Sequence, residues 1–425
     1  MRPTCLWWED APLSGPPASA PLPPAVDVAV IGGGYTGLSA ARTLARGGAR
    51  VVVLEQEAIG WGASSRNAGQ VLTGLKLGIG TLVARFGPQR ARELFRTSID
   101  AMDSLEGLIA EEGIDCGFAR CGHVEAAFKP AHFEAFRREQ ELLDRLVGHP
   151  VELLARADQR SELGSDFYHG VLVDERSAAL HPARYVLGLA EAARRAGADL
   201  RPLTPVQAIA ARADGLELAT PRGAIRARDV LVATNGYTGA AVPALRRRVV
   251  PVGSFLLATA PLAPAVAAAL LPRGRTAFDS KNFLFYFRLT PDRRLLFGGR
   301  AHFGPATPEG TRRAGDILRR GMVQVFPELR DVAIDFAWSG NVCVIPDRLP
   351  RSGRLGGLHY ALGYSGHGIA LATFLGDRVA RRMLGEAGVD DPFWGQPFAA
   401  IPLYDGRPWF LPLAGMYYRL RDWMA

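Results

Sequence analysis

The sequence predicts an α/β fold in which a parallel, doubly wound sheet is written in separated pieces, with an α+β second domain threaded between them. Three observations carry this. The apolar run Val26–Ile31 passes through the turn Gly32-Gly33-Gly34-Tyr35-Thr36-Gly37 into a helix, and a second run, Val51–Leu54, ends on Glu55. Alternating helix and strand patterns return at Pro182–Ala233 and again at Leu358–Leu384. Between those blocks, Val249–Arg300 reads as mixed, β-rich sequence.

Taken in order, residues 1–24 read as an extended arm, with Trp7-Trp8 as a docking anchor ahead of the Pro-rich stretch Pro12–Pro24. The first βαβ unit follows at residues 25–55. Gly32 folds the turn tightly, Gly34 lets the backbone approach a pyrophosphate, and Gly37 lets the helix lie close on the strand. A phosphate placed there meets the N–H groups and positive end of a helix. Leu38, Ala41 and Leu44 form that helix's packing face. Glu55, about twenty residues past the turn, suits the hydroxyls of a ribose. The unit is a Rossmann-type dinucleotide site.

Residues 56–80 read as a glycine-rich loop with a short helix. Residues 88–112 and 130–147 read as helices, with a strand at Cys121–Phe128 between them. The returning pattern predicts a helix at Pro182–Ala196 and strands at Leu200–Leu203, Val206–Ala210, Leu216–Ala219 and Val230–Ala233. The uncharged run Val249–Pro272 is broken by Pro251, Gly253, Pro261 and Pro264, and reads as a buried strand and short helix, not a membrane span. Strands at Asn282–Leu289 and Arg294–Gly299, a helix at Gly310–Val325, a strand at Leu358–Leu362 and a helix at Ile369–Leu384 complete the reading.

The bulk properties narrow the functional classes. A chain of 425 residues has room for one to three domains. Cys5, Cys116, Cys121 and Cys343 make neither a Cys-x-x-Cys pair nor a disulfide framework, which fits a reducing, cytoplasmic compartment. No zinc-type ligand cluster accompanies them, so no metal is expected. Arg2 precedes no apolar h-region, and a signal peptide is not expected. The net charge of +8 comes almost wholly from arginine, since lysine occurs only at 76, 129 and 281. The arginines fall singly or in short pairs on expected helix faces, the pattern of a solvated surface and not of a nucleic-acid track. The positive field also suits anionic substrates or peripheral contact with membrane lipid.

Two further stretches ask for more than a nicotinamide cofactor. Gly60–Gln70 sets small residues beside the pyrophosphate turn, with Ser64, Ser65, Arg66 and Asn67 as donors, and reads as a phosphate and ring contact in preference to a solvent loop. Gly363-Tyr364-Ser365-Gly366-His367-Gly368-Ile369 joins a strand to a helix and offers that helix's N-terminus to an electron-rich partner. For a flavin the partner is the N1–C2=O edge, which gains negative charge on reduction. The cofactor-binding candidates are Gly32, Gly34, Tyr35, Thr36, Gly37, Glu55 and Gln56 from the first stretch. Gly62, Ala63, Ser64, Ser65, Arg66, Asn67, Gly69 and Gln70 come from the second, and Gly363, Tyr364, Gly366, His367, Gly368 and Ile369 from the third. Hydride transfer to a flavin needs a substrate held in place more than a strong acid, so positioning residues are sought. Tyr286, Arg300, Trp338 and His367 are the catalytic candidates, with Arg288, His302 and Tyr364 beside them. Arg300 reads equally as a two-pronged carboxylate clamp or an ion pair, and His367 as a cofactor contact or a helix cap.

With these stretches in view, the chain resembles the D-amino-acid-oxidase/sarcosine-oxidase superfamily of FAD-dependent oxidoreductases, and within it the γ-glutamylputrescine oxidoreductase-like branch. The residues carrying the likeness are Val28–Gly37 with Glu55, Gly60–Gln70, Tyr286–Arg300 and Gly363–Gly368. Leu180-His181-Pro182, Ala233-Thr234-Asn235 and Trp7-Trp8 support it. The resemblance implies FAD, a Rossmann-type flavin domain discontinuous in sequence, and a β-sheet substrate domain. It implies oxidation of the C–N bond of a γ-glutamylputrescine-like, N-methyl or D-amino acid substrate, giving an imine that hydrolyses, with O2 or another acceptor taking the electrons. It also implies that Val206 meets adenine through its backbone and that Thr234 lies near the cofactor.

Where sarcosine oxidases tether the flavin through cysteine, this chain has Gly340, with Cys343 out of register; where dimethylglycine-type relatives use histidine, the loop offers Arg66. Non-covalent FAD is therefore expected. The lysine that sarcosine oxidases hold over the flavin corresponds to Leu296, which leaves Lys281 as the lysine of that region and oxidase versus dehydrogenase open. The expected plan is an arm at 1–24, flavin-domain segments at 25–95, 171–245 and 336–390, substrate-domain segments at 96–170 and 246–335, and a tail at 391–425. Two rival readings are a D-amino acid dehydrogenase feeding a membrane quinone and a non-catalytic flavin-binding module. The sequence does not define the oligomeric state.

Overall fold

The computed structural model describes residues 1–13, 21–299 and 308–424, which build two eight-stranded sheets and a two-stranded ribbon. Across the first sheet the order is Arg351–Leu355, Leu358–Leu362, Gly223–Val232, Ala25–Ile31, Val51–Leu54, Asp199–Arg201. Neighbours run parallel except at the Arg351–Leu355 edge. Gly215–Thr220 and Ala208–Arg212 extend Gly223–Val232 as an antiparallel ribbon. Ala25–Ile31 therefore lies at the point where the connections diverge, and a crevice opens there beyond the strand ends.

Side chains alternate across these strands, so each face needs its own cover. Val28, Val30, Val51 and Val53 pack under the helices Tyr35–Arg46, Pro88–Glu112, Pro182–Arg195 and Gly368–Met383. Ala29, Ile31, Val52 and Leu54 meet Leu218, Val242, Leu245 and Ile345 on the other side. Gly376 allows the last of those helices to lie on the first: a Cβ there would stand 2.3 Å from the Thr36 carbonyl oxygen.

The second sheet runs Ile334–Val344, Val250–Thr259, Leu295–Gly299, Phe285–Leu289, Thr276–Asp279, His123–Ala126, Gly170–Asp174, Glu152–Ala155. Every pair is antiparallel except Thr276–Asp279 with His123–Ala126. The helix Pro308–Val325 lays Ala314, Leu318, Met322 and Val325 on Phe255, Leu257, Phe287 and Phe297. The uncharged run folds as the strand Val250–Thr259 and the short helix Pro264–Leu270, as its prolines predict.

Several elements differ from expectation. The strand expected at Val206–Ala210 starts at Ala208, because it takes its register from Gly215–Thr220, and Val206 stays on the preceding loop. Ile334–Val344, Glu152–Ala155, Gly170–Asp174 and Thr276–Asp279 are strands that periodicity did not single out. Residues 1–11 dock on the body through Trp7, and Leu6–Trp8 is a short helical turn where an extended arm was expected. Arg2 bridges Phe336 in parallel, and Cys5 and Trp7 are buried. The helix Pro88–Glu112 packs on the first sheet's helices, while Gly170–Asp174 and Ile334–Val344 pair into the second sheet. We therefore propose that the chain changes domain after Asp174 and after Val344, since sheet pairing outweighs helix–strand alternation in defining a domain.

Candidate dinucleotide and substrate site

A cavity of about 620 Å³ extends from the ends of Ala25–Ile31 and Val51–Leu54 to the second sheet. Gly32 has left-handed backbone (φ 107°), and a Cβ there would stand 2.9 Å from the Ala233 carbonyl oxygen. A Cβ on Gly37 would come within 2.0 Å of the Gly32 carbonyl oxygen, so only glycine lets the helix start this close to the strand. At Gly34 a Cβ would face Ser64 Oγ at 2.7 Å; that same hydroxyl accepts from the Tyr35 amide at 3.0 Å. Glu55 is pinned by the Gly33 amide (2.7 Å to Oε2) and the Glu57 amide (2.9 Å to Oε1). Burial pushes its carboxyl above the usual range and these amides oppose the rise. Each carboxylate oxygen keeps a lone pair for a further donor such as a ribose hydroxyl. Gln56, Val206 and Thr234 line the same end of the cavity.

The second stretch contains the short helix Ala63–Arg66 and is bolted down by tryptophans. The Arg66 guanidinium lies between Trp8 and Trp61, 4.6 and 4.0 Å from their ring centres. It donates through Nε to the Trp61 carbonyl (2.8 Å) and through Nη1 to the Ser339 carbonyl (3.1 Å). None of these partners is a carboxylate, and burial lowers its pKa. Trp338 Nε1 donates to the Arg66 carbonyl and Trp7 Nε1 to the Asn67 carbonyl, both at 2.8 Å. Trp8 Nε1 donates to Ser65 Oγ at 3.1 Å. Asn67 Nδ2 satisfies the Ala63 and Ser64 carbonyls at 3.0 and 2.9 Å. Gln70 Nε2 reaches the Ala277 and Phe287 carbonyls of the second sheet at 3.2 and 3.1 Å.

The third stretch is tied to the first by a hydrogen bond between Tyr364 Oη and Thr36 Oγ1, 2.8 Å long. Left-handed backbone at Gly363 (φ 87°) and Gly366 (φ 102°) turns it into the helix Gly368–Met383. His367 lines the cavity, and its Nδ1 is buried with no partner among the described residues. Burial, with Lys76 and His123 nearby, pushes its pKa down to about 3, so the imidazole is neutral at neutral pH.

The second sheet supplies the far wall through Ser254, Leu256, Phe278 and Tyr286, with Leu284 just ahead of the strand Phe285–Leu289. Tyr286 Oη shares a hydrogen bond with Ser254 Oγ at 2.9 Å. Gly298 makes room for its ring, since a Cβ would come within 2.3 Å of it. Lys76 reaches the cavity from the loop after the strand Gln70–Val71.

Of the sequence candidates, the cavity brings together Gly32, Gly34, Tyr35, Thr36, Glu55, Gln56, Gly62, Ala63, Ser64, Arg66, Asn67, Gln70, Val206, Thr234, Tyr286, Tyr364, Gly366, His367, Gly368 and Ile369. Gly37, Ser65, Gly69, Gly363 and Trp338 stand behind the lining and hold it. Arg288 is buried, donating to the Gly69 and Leu180 carbonyls. Arg300 and His302 lie outside the described residues. Lys281 pairs with Asp279 at 3.0 Å and does not line the cavity, and Leu296 is buried beside Ala258 and Trp338. Lys76, Trp61, Tyr237 and Asn235 were missed. Trp61 and Asn235 stand inside the stretches Gly60–Gln70 and Ala233–Asn235 without being singled out, and Lys76 is a lone charge in the apolar, glycine-flanked run Gly74–Gly78.

The glycines without room for a Cβ, the acid at the strand end and a helix N-terminus at the crevice fit a dinucleotide. A parallel sheet that binds its ligand at the switch point, facing a second sheet of polar and aromatic side chains, defines a dinucleotide-dependent enzyme with a separate substrate wall. The chain belongs to the FAD dependent oxidoreductase family, whose model matches residues 27–382. Its cofactor is accordingly FAD. Over 401 residues it is 34% identical to the gamma-glutamylputrescine oxidoreductase of Escherichia coli, covering 93% of this chain and 92% of that protein. It is also 34% identical to the probable oxidoreductase OrdL of Haemophilus influenzae, over 85% of this chain and 83% of that one. The crystal structure of glycine oxidase from Geobacillus kaustophilus superposes with a TM-score of 0.72 at 25% identity, covering 88% of this chain and 98% of that one.

Proposed function

We propose that this protein oxidises the C–N bond of a small amine or amino acid, and that its preferred substrate is an extended primary amine carrying a remote carboxylate, of the γ-glutamylated diamine class. The observation that carries this reading is one cavity with Gly34 and Glu55 at one end and Tyr286, Ser254, Phe278 and Lys76 at the other. Likeness to gamma-glutamylputrescine oxidoreductase over nearly the whole chain supports the substrate class. When bound, FAD supplies the acceptor for a hydride from the amine-bearing carbon; the imine released to water hydrolyses.

The chain's own residues hold the amine and exclude water. Phe278, Leu256 and Leu284 make an apolar wall, which favours the neutral amine over its ammonium form. The Tyr286 hydroxyl, held by Ser254, offers that amine a directed hydrogen bond. His367 lines the cavity without adding charge, and Lys76 gives a substrate carboxylate a cationic partner. Anaerobic mixing with γ-glutamylated diamines, polyamines, N-methyl amino acids and D-amino acids, followed by flavin absorbance, tests the reading. The γ-glutamylated diamines are expected to bleach the flavin fastest. Retention of full yellow colour with every amine in the panel overturns it.

A further inference from the structure

We infer that the segment from Leu403 to Tyr417 is a foot that seats the protein on an anionic lipid surface. The inference is independent of the substrate assigned above. Leu403 is 92% exposed and its backbone is left-handed (φ 56°). Trp409, Leu413, Met416 and Tyr417 follow, each between 57% and 63% exposed. Within the helix Leu411–Met424, positions 413, 416 and 417 share one face. Other residues fasten the segment to the body. Tyr404 is buried with Val250 and Val252, its hydroxyl donates to the Val249 carbonyl at 2.9 Å, and Phe410 and Leu411 pack beside it. Leu413 and Met416 therefore stand outside the anchoring cluster, whereas Trp409 also donates to the Leu403 carbonyl and packs its ring against Phe410.

Basic residues lie along the stretch that leads into this helix. Gly406 lies against the Arg246 side chain, and the Ile401 amide donates to the Arg247 carbonyl at 2.9 Å. Arg247 and Arg407 are exposed, with Asp405 as an exposed carboxylate among them. An exposed apolar helix face carrying Tyr417, preceded by Trp409 and by an arginine-bearing stretch, is the pattern of a helix lying in the headgroup plane of a bilayer. A second copy of the chain on the same face would bring arginines against arginines, whereas anionic headgroups supply the opposite charge. No helix among the described residues is long and apolar enough to cross a membrane, so the contact is peripheral.

Sedimentation of the full-length holoprotein with phosphatidylglycerol/phosphatidylcholine vesicles tests the proposal. The protein is expected to pellet with anionic vesicles, to pellet less with phosphatidylcholine alone, and to release as salt is raised. Replacing Arg247 and Arg407 with glutamine is expected to weaken binding about tenfold or more, from roughly fivefold per surface arginine. L413E/M416E is expected to abolish binding while turnover with a soluble dye acceptor is unchanged, which also shows that the variant folds. Parent protein that stays in the supernatant with anionic vesicles overturns the proposal. So does L413E/M416E binding as well as the parent. A parent dimer that L413E/M416E converts to monomer, without vesicle binding by either, makes the face a subunit interface and equally overturns it.

Discussion

At the residue scale, Gly34 offers the sharpest test of the turn. A Cβ there already meets Ser64 Oγ, and valine adds two methyl groups where a pyrophosphate must approach. Gly34→Val is expected to purify colourless with an unchanged far-ultraviolet dichroism spectrum; normal flavin content argues against the assigned turn. Lys76→Met is expected to raise KM for a carboxylate-bearing amine about tenfold or more, matching the roughly 1.5–3 kcal/mol of a hydrogen bond to a charged group. A plain diamine should be little affected, and equal losses for both would assign Lys76 to a structural role, beside the buried Glu125 carboxyl. His123 reports on pH. It is 5% exposed, its Nδ1 pairs with Thr276 Oγ1 at 2.8 Å, and burial pushes its pKa from 6.5 down to about 3. The folded state thus binds this proton less readily than the unfolded chain. Its contribution to stability is complete above pH 6.5 and is lost as pH falls towards 3, at up to about 1.4 kcal/mol per pH unit. His123→Gln, which keeps a polar partner for Thr276, is expected to lower the slope of denaturant-derived stability over that window by one proton's worth, leaving the uptake by His367. An unchanged slope would put the uptake elsewhere.

At the scale of elements, the first βαβ unit was legible because everything it needs is local: an apolar strand, three glycines, a packing face and an acid within 31 consecutive residues, 25–55. The second sheet was only half legible. Its pairings join residues far apart, such as Thr276 with His123 or Ser254 with Gly340, and no local period records them. Ile334–Val344 shows why. It carries Trp338, Ser339 and Gly340, with burial on successive residues instead of alternation, because one part pairs at the sheet edge and another faces Arg66. Lys76 escaped notice for the same reason, since only the fold brings its loop to the cavity. The tryptophan pair was legible as an anchor but not what it anchors. Trp7 is buried and bonded to the Asn67 carbonyl, so Trp7→Ala is expected to cost about 3–5 kcal/mol in urea unfolding. Trp8→Ala removes only one of the two rings around Arg66 and should lower FAD affinity severalfold with a smaller stability loss, consistent with a cation–π contact of roughly 0.5–2 kcal/mol. Titration of apoprotein with FAD separates the two variants. Equal stability losses would mean that Trp8 also acts through the core.

At the scale of the whole molecule, the cavity is a meeting of distant segments, each fastened by a few bonds: Thr36 to Tyr364, Arg66 to Trp338, Gln70 to Phe287. A cofactor lying along all of them is bound by the native arrangement and not by the unfolded chain, so it stabilises the fold through binding alone. Free FAD at a hundred times its Kd should add about 2.7 kcal/mol to stability. The chemistry of the walls argues that this linkage is reversible. Gly340 offers no nucleophile, and burial pushes the Cys343 thiol up to about 12, which leaves almost no thiolate at neutral pH. The 60–70 loop contains no histidine. Acid precipitation is therefore expected to leave all the yellow colour in the supernatant. Protein stripped of flavin by dialysis against bromide should melt at a lower temperature and recover its Tm when FAD, but not riboflavin, is restored, because the Glu55 and Gly34 end of the cavity recognises the part riboflavin lacks. Colour that stays with the acid pellet would refute the non-covalent assignment; full recovery with riboflavin would show that the dinucleotide end contributes nothing to holding the segments together.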